Sequence, residues 1–551
     1  MMRRWVAGTE QSAVAEPSIR PPGGRAYWCD ACRVPLLQSP CSVCGQDGRA
    51  VSSSNMRPVF AGEIRSLLAL GAPSWLGPPR DFALWESGGR YYMGGYAIAR
   101  LRRAPAPRRV SVEPIGKPAA QDARRRRSPL MRRLVAANYP RLRELEHQAC
   151  VFIQEAVSVY PDRTLVVSFS GGKDSTVVSH LVRTALGRAD ILHMFADTGI
   201  EMPDTYRFLD TFRRDRPSVP LMVIRASADF FQLCHEIGPP SRIQRWCCST
   251  QKAVPLGSVV NAANGAKGVL CFDGIRRAES SRRNGYLRIT TKTKIGREVL
   301  ASPILDWTDL EVWIYGLSAG LPINEAYLRG FKRVGCLYCP LNSAWSEALT
   351  ALHYSNEHEL WIATLRESAC RAGHPDPDAF AQGAWRARAG GRGLASFRAS
   401  VAASPCESHP HRVSYQTTGD WRDTLWSYIG MLGKLRIWHD DGMIAVGVLQ
   451  DASGADLMSF RAVRPRQRLE VTYADGKGHR LLRQRIERQL RKYQSCVSCG
   501  ACAAICPTGA LSMHDSLIFN ERLCTFCLKC VSMNCVAVES LTLKGRSTGA
   551  D

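Results

Sequence analysis

The chain has 551 residues, too many for one hydrophobic core, so three or more domains are expected. Lysine and arginine total 73 against 49 acidic residues, a net charge of +24 that favours polyanionic partners such as nucleic acid. No apolar run approaches the ~20 residues of a membrane span, and MMRRWVAGTE carries no apolar stretch of a secretory signal, so a cytoplasmic protein without membrane contact is expected.

In that compartment thiols stay reduced, and clustered cysteines read as metal ligands rather than disulfides. Of the 21 cysteines, 16 fall into tight patterns, which makes metal the organising theme.

Residues 1–26 are polar and rich in Pro and Gly, and are expected to be a disordered tail. Residues 27–50 carry Cys29-x2-Cys32-x8-Cys41-x2-Cys44, the paired-knuckle spacing of a zinc ribbon. Thiolate zinc would supply most of the folding energy of so small a unit. Residues 55–103 form a small α/β unit. RPVFAGEIRSLLALG has helical spacing, and in FALWESGGRYYMGGYAIARL two short strands flank a Gly-Gly turn. The segment loosely resembles a PUA-like RNA-binding domain. Residues 104–137, with Arg124–Arg127, read as a basic linker that could meet RNA phosphate or simply be solvated.

From 138 to 345 strand-like runs (LVVSFS, ILHMFAD, LMVIRA, GVLCFDG) alternate with helical patterns, which argues a parallel α/β sheet. Residues 346–485 are mixed, with helix expected in WSEALTALHYSNEHELWIATLRESA and strands in LRIWHDDGMIAVGVLQ; no role is assigned to them. Residues 486–545 are a second cysteine-rich module. The fold class expected is therefore α/β, a parallel-sheet catalytic domain with small zinc-ribbon and ferredoxin-type α+β modules.

In LVVSFSGGKDST the strand Leu165-Val166-Val167 runs into Ser170-Gly171-Gly172-Lys173-Asp174-Ser175. A Gly-rich turn before a helix presents backbone N–H groups to an anion, Lys173 adds a point charge, and Asp174 could hold a metal or its water. The spacing is not that of the Walker loop. SGGKDS resembles the PP-loop of adenine-nucleotide α-hydrolases, in which the loop grips the pyrophosphate side of ATP. ADTGIEMPDTY, after the strand ILHMF, and GIRRAESSRR resemble segments of the phosphoadenosine phosphosulfate (PAPS) reductase family. The resemblance covers roughly 160–345. It implies a nucleotide, with Mg, held by Ser170, Gly171, Gly172, Lys173, Asp174, Ser175, Asp197, Thr198, Gly199, Arg276, Glu279 and Arg282, with Lys173, Asp174 and Asp197 as the catalytic groups.

Within this domain lie Cys247-Cys248 and Cys336-x2-Cys339, flanked by Arg242, Arg245 and Lys252. The arrangement resembles the [4Fe–4S] site of adenosine 5′-phosphosulfate (APS) reductases; a structural zinc or two unrelated pairs are the alternatives. Two features depart from those reductases. Their loop is usually modified, whereas SGGKDS is intact here, and the Glu-Cys-Gly-x-His stretch bearing their nucleophilic cysteine is missing. PCESH offers Cys406 and His409, in the wrong order.

CVSCGACAAICP at 496–507 is the bacterial ferredoxin run C-x2-C-x2-C-x3-C-P. By that resemblance Cys496, Cys499, Cys502 and Cys535 share one cluster, and Cys506, Cys524, Cys527 and Cys530 share the other, with zinc as the alternative. The gap before Cys535 is four residues rather than three, without a following proline. Such a module would feed electrons to the catalytic domain or act as a folding staple.

Three functions follow as expectations. The first is ATP-dependent sulfur transfer to a nucleic-acid acceptor, plausibly tRNA, with sulfur and electron donors unnamed. The second is an APS or PAPS reductase with a built-in electron supply. The third is a non-catalytic redox-sensing nucleic-acid binder.

Overall fold

The computed structural model describes residues 25–53, 56–74, 81–82, 84–103, 110–116, 130–226, 228–262, 267–291, 293, 295, 297–387, 401–418, 421–474, 479–514 and 516–541. Most of the expected tail and the Arg124–Arg127 run lie outside the described residues; Arg25 and Ala26 already open the first strand.

The central sheet has six strands in the order Leu221–Arg225, Leu192–Asp197, Thr164–Ser168, Val269–Phe272, Glu298–Ala301, Ile289–Thr290. The first five are parallel and the last is antiparallel. Both faces are covered, which is why the strands read as apolar runs rather than alternating ones. Val167, Leu270 and Val299 pack with Val178 and Leu181 of the helix Lys173–Leu186 and with the 30-residue helix Leu130–Val159. Val166, Met194 and Cys271 pack on the other face with Val260. The strand order reverses between Thr164–Ser168 and Val269–Phe272. In an open α/β sheet, the crevice at the carboxyl ends beside such a switch point is where ligands bind.

The amino-terminal cysteines sit on a three-stranded antiparallel sheet, Val34–Leu36, Arg25–Cys29, Arg49–Ser53. The next unit is a five-stranded antiparallel meander, Arg57–Val59, Leu84–Ser87, Arg90–Met93, Tyr96–Arg103, Val110–Pro114, with the helix Ala61–Ala69. Two expectations are corrected here. FALWESGGRYYMGGYAIARL makes three strands, because Gly94-Gly95 turns the chain as Gly88-Gly89 does, all four at positive φ. The expected linker 104–137 contains the last strand of this meander, Val110–Pro114, and the start of the helix Leu130–Val159. VSVEP alternates weakly and was masked by the prolines and arginines around it.

This small unit is anchored to the catalytic domain through buried charge. Arg57 pairs with Glu63 at 2.6 Å and Glu86 at 2.9 Å, and Lys332 reaches Glu86 at 2.5 Å. Gly62 lies so close to Leu328 that a Cβ would sit 2.4 Å from its carbonyl oxygen.

Past the catalytic sheet, the expected single helix is two, Ala344–His353 and Ser355–Arg371, broken at Tyr354 with φ −138° and ψ 58°. LRIWHDDGMIAVGVLQ is a hairpin, Lys434–Asp440 with Ile444–Gln450, inside a six-stranded antiparallel sheet. That sheet shares its core with Leu482, Ile486 and Leu490 of the helix His479–Gln494 and with Cys506, Leu511, Leu517 and Val531 of the last module. The boundary expected at 485/486 therefore falls inside a helix. Among the described residues, no helix is long and apolar enough to cross a membrane.

Candidate active site

The loop after Thr164–Ser168 turns at Gly171, whose φ of +69° is the left-handed conformation that glycine adopts without strain. Gly172 is the N-cap of the helix Lys173–Leu186. The bend is held from inside, with Ser170 N–H donating to Ser175 Oγ at 3.2 Å. It is also held from outside: Asn324 Nδ2 donates to the Gly171 carbonyl at 3.2 Å, and the Lys173 N–H donates to Tyr327 Oη at 3.1 Å.

Four charges meet at the helix start. Lys173 Nζ lies 2.8 Å from Asp174 and 2.9 Å from Asp309; Arg276 lies 2.6 Å from Asp174 and 2.8 Å from Asp309. Burial works against the Lys173 ammonium, but Asp174 and Asp309 outweigh it and raise its pKa. Burial likewise opposes the Asp174 carboxylate, but Lys173 and Arg276 hold its pKa down at about 2. Arg276 reaches Asp174 because Gly274 lies flush on the loop: a Cβ there would be 2.9 Å from the Asp174 carbonyl carbon. Beside Gly274, burial lifts Asp273 to about 6, with Ser302 Oγ 2.6 Å from its carboxylate.

Asp197 ends the neighbouring strand and is fully engaged. It accepts from the Gly199 N–H at 2.9 Å, Tyr206 Oη at 2.8 Å and Arg225 Nε at 2.8 Å. It therefore shapes the Thr198-Gly199 turn. Glu279 pairs with Arg283, while Arg282 is exposed on the next turn. The inward-facing member of that arginine pair is thus Arg283, a choice the letters RR do not reveal. Asp309, Asn324 and Tyr327 were not singled out in the sequence. Only Asp309 carried a signal: TDLE is a capping box, with Thr308 and Glu311 closing the helix Asp309–Ser318.

The nucleotide turn and the internal cysteines touch. The Leu337 N–H donates to the Ile200 carbonyl at 2.8 Å, and Thr198 Oγ1 lies 3.6 Å from Cys336 Sγ. Glu201 joins Cys336 at 3.4 Å and Lys252 at 3.3 Å. Cys247 and Cys248 come from the short helical turn Trp246–Cys248, which continues as a π-helical turn Ser249–Ala253. The Cys248 hydrogen bond and then burial push the Cys247 thiol up, with Cys336 and Cys339 adding to the effect. Burial pushes Cys336 up to about 12 and raises Cys339. Arg242 lies against the Pro340 carbonyl at 3.2 Å.

In the last module Cys496, Cys499, Cys502 and Cys535 line one cavity with Tyr428 and Lys492, and Cys506, Cys524, Cys527 and Cys530 line another. Lys492 stands between them, donating to the carbonyls of Cys530 at 2.6 Å and Val531 at 3.1 Å. At the amino terminus Cys29 and Cys44 sulfurs are 3.5 Å apart and Cys32 and Cys41 3.7 Å. Among the described residues, only this group brings its sulfurs within 4.8 Å of one another, the compactness that one bound metal ion requires. The other twelve stand in wider quartets. Cys406 lies in the turn before Arg412–Thr417, half-buried and 3.8 Å from His409 Nδ1. Its thiol is drawn down to about 7 by Ser408 and His409.

Residues 164–342 match the phosphoadenosine phosphosulfate reductase domain family, and residues 492–512 match the 4Fe-4S binding domain family. An uncharacterized protein of Methanocaldococcus jannaschii is 35% identical over 237 residues, 43% of this chain and 48% of that protein; the chain thus spans about half the length of this curated relative. An adenosine 5′-phosphosulfate reductase of Staphylococcus epidermidis is 26% identical over 180 residues, 32% of this chain and 71% of the reductase. The solved phosphoadenylyl-sulfate reductase of Candida auris, a phosphate complex, aligns at 15% identity with a TM-score of 0.28, covering 35% of this chain and 93% of the other. The chain thus carries a PAPS reductase domain joined to a ferredoxin-type module.

Proposed function

We propose that the protein is an iron–sulfur enzyme that binds an adenine nucleotide and couples chemistry at its α-phosphate to sulfur transfer, with a nucleic acid, tRNA, as the acceptor. The observation that carries this reading is the joint between the two sites: the Thr198–Glu201 turn beside the nucleotide loop is bonded to the Cys336–Leu337 segment. A nucleotide at the loop and sulfur chemistry at the thiolates would then be neighbours.

The residues have separable tasks. Gly171, Gly172 and the start of the helix Lys173–Leu186 offer backbone N–H groups to the pyrophosphate side of ATP. Lys173 and Arg276 are held ready by Asp174 and Asp309, so their charge is in place before substrate arrives. Asp174 and Asp309 are also the oxygen ligands a Mg ion would use. Attack by the acceptor's carbonyl oxygen on the α-phosphorus breaks the α–β bond and releases pyrophosphate. Attack by hydrosulfide on the activated carbon then releases AMP and leaves a thiocarbonyl.

The donor sets fit the groups proposed for them. Four wide thiolates at Cys247, Cys248, Cys336 and Cys339, and again in each quartet of the last module, suit iron–sulfur clusters. The compact Cys29 set suits one tetrahedral zinc, whose ~2.3 Å bonds bring sulfurs close. A bound cluster supplies one-electron reduction next to the nucleotide. The zinc ribbon and five-stranded unit, with the chain's +24 charge, support RNA as the acceptor.

A second reading, an APS or PAPS reductase, is favoured by the docking of the last module against the Cys247 segment and by the likeness to the Staphylococcus adenosine 5′-phosphosulfate reductase. The experiment that separates the two is anaerobic turnover with ATP and RNA. AMP and pyrophosphate formed together with thiolated RNA support the first reading. Sulfite from APS, with no pyrophosphate from ATP, supports the second.

A further inference from the structure

The last module does not hang from the chain as a tether would allow; one of its quartets is set against the catalytic domain. The short helix Ala501–Ala504, between Cys499 and Cys506, packs on the helix Val254–Ala262, which begins six residues after Cys248. The approach is so close that a Cβ on Gly257 would lie 2.9 Å from the Ala504 Cβ and 3.2 Å from its Cα. A Cβ on Gly500 would meet Val254 Cγ1 at 2.9 Å. Around this contact, Val497, Cys535 and Val536 pack in the same apolar cluster as Trp246, Cys247 and Cys336. Two hydrogen bonds pin the edges: Gln244 Nε2 to the Glu539 carbonyl at 3.1 Å, and Arg297 Nε to the Pro507 carbonyl at 2.7 Å.

The other quartet packs on the six-stranded sheet, and Arg297 of the catalytic domain reaches its cavity through the Pro507 carbonyl. Cys506, Cys524 and Cys530 pack in the core of the six-stranded sheet, and Cys527 is exposed between exposed Thr525 and Lys529. Lys492 bridges the backbone between the two quartets.

We infer that the Gly257–Ala504 contact fixes the order of the three thiolate quartets: the Cys506 quartet outermost, the Cys496 quartet in the middle, and the Cys247 quartet next to the nucleotide turn. Gly257 is a positioning residue, present because no side chain fits there. The inference rests on the proposed reading of these quartets as iron–sulfur sites. Electrons come from an external one-electron carrier protein that meets the exposed Cys527 side. Two single-electron transfers inward match either sulfur reaction. A persulfide donor, R–S–S⁻, takes two electrons and a proton, its S–S bond breaks, and R–S⁻ and HS⁻ leave. Alternatively APS takes two electrons, its S–O bond breaks, and AMP and sulfite leave.

The test uses the full chain, purified anaerobically, with iron counted before any spectroscopy. Wild type should hold about twelve irons, and the electron paramagnetic resonance signal of the reduced Cys247 quartet should be broadened by spin coupling to the Cys496 quartet. Gly257→Leu should keep that iron and lose the broadening. Its Cys247 quartet should be reduced by a carrier protein about tenfold more slowly, as misplacement by an ångström costs other reactions one to two orders of magnitude. Cys527→Ser should lose about four irons, keep the broadening, and lose reduction by the carrier but not by dithionite. Should Gly257→Leu lose iron, Cys527→Ser decides alone. Broadening abolished in Cys527→Ser, or unchanged broadening and rate in an iron-replete Gly257→Leu, overturns the order while leaving the cluster reading intact. Wild-type protein with about eight irons and none at the Cys247 quartet overturns that reading and the relay with it.

Discussion

The nucleotide loop and the internal cysteine site are neighbours built on opposite electrostatic plans. At the loop, two cations and two carboxylates neutralise one another in one network, with every separation between 2.6 and 2.9 Å. At the cysteines, Glu201 pairs with Lys252 and Arg333 acts on Cys339, yet the thiols Cys247, Cys336 and Cys339 are pushed up rather than down. The loop is organised by the protein alone. Under the proposed reading, the cysteine site would take up its charge against a bound metal, since metal binding displaces thiol protons. Substitutions in the two places should therefore fail differently.

The largest difference is expected from Lys173→Ala. Removing the ammonium leaves Asp174 and Asp309 facing phosphate, and nucleotide turnover should fall about 10³-fold, in the range seen when a preorganised charge is deleted. Iron content should not change; loss of iron in this variant would merge the two plans into one. Cys336→Ser should do the reverse. It should lose about four irons and abolish sulfur transfer, yet leave ATP affinity, read by calorimetry, close to wild type.

Next in size is the anchor of the small unit. Arg57→Met takes the close cation from the buried Glu63 carboxylate and leaves Glu86 with Lys332 alone, and breaking such a pair costs about 3–5 kcal/mol. Because Phe60 of the same unit packs on Trp313, and Trp313 on Tyr327, that loss should also weaken nucleotide binding. A urea melt in which Arg57→Met matches wild type would contradict the anchor.

The smallest effect is in pH. Asp174 is depressed to about 2 in the folded protein, so its stabilisation is complete above its ordinary value near 4 and is lost as pH falls towards about 2. Asp273 is raised to about 6, so it works in the opposite direction: stability falls as pH rises from about 4 to about 6, where the folded form holds a proton that the unfolded form has released. Asp273→Asn should reduce the fall of the urea midpoint between pH 4 and 6, leaving the part due to Glu298, which burial raises to about 7, and Asp174→Asn should leave that fall unchanged.

Much of this arrangement was legible in the letters, for physical reasons. Strands buried on both faces announce themselves as apolar runs, so four of the six central strands were readable; Glu298–Ala301 and Ile289–Thr290 are too short and polar. The sets implied by the ferredoxin resemblance, in which the fourth cysteine of each run crosses to the other, are the sets that line the two cavities of the last module; spacing alone would have kept each run together. What could not be read is what distant segments bring to one point. Asp309 and Tyr327 reach Lys173, and Asn324 reaches Gly171, across more than 130 residues, and Gly257 declares its purpose only once Ala504 stands against it. The six-stranded sheet was half hidden because its strands alternate buried with more exposed residues instead of running apolar, and polar turns interrupt them.

The central claim is that adenine-nucleotide chemistry at Lys173 and sulfur chemistry at Cys336 form one reaction. Anaerobic, reduced protein should be given ATP, APS and PAPS separately in the presence of tRNA and a persulfide donor. AMP, pyrophosphate and thiolated tRNA should then be measured against sulfite. The account predicts AMP and pyrophosphate from ATP in step with thiolated tRNA, with both lost in Lys173→Ala and only the thiolation lost in Cys336→Ser. Sulfite from APS or PAPS, with no pyrophosphate from ATP, would contradict it.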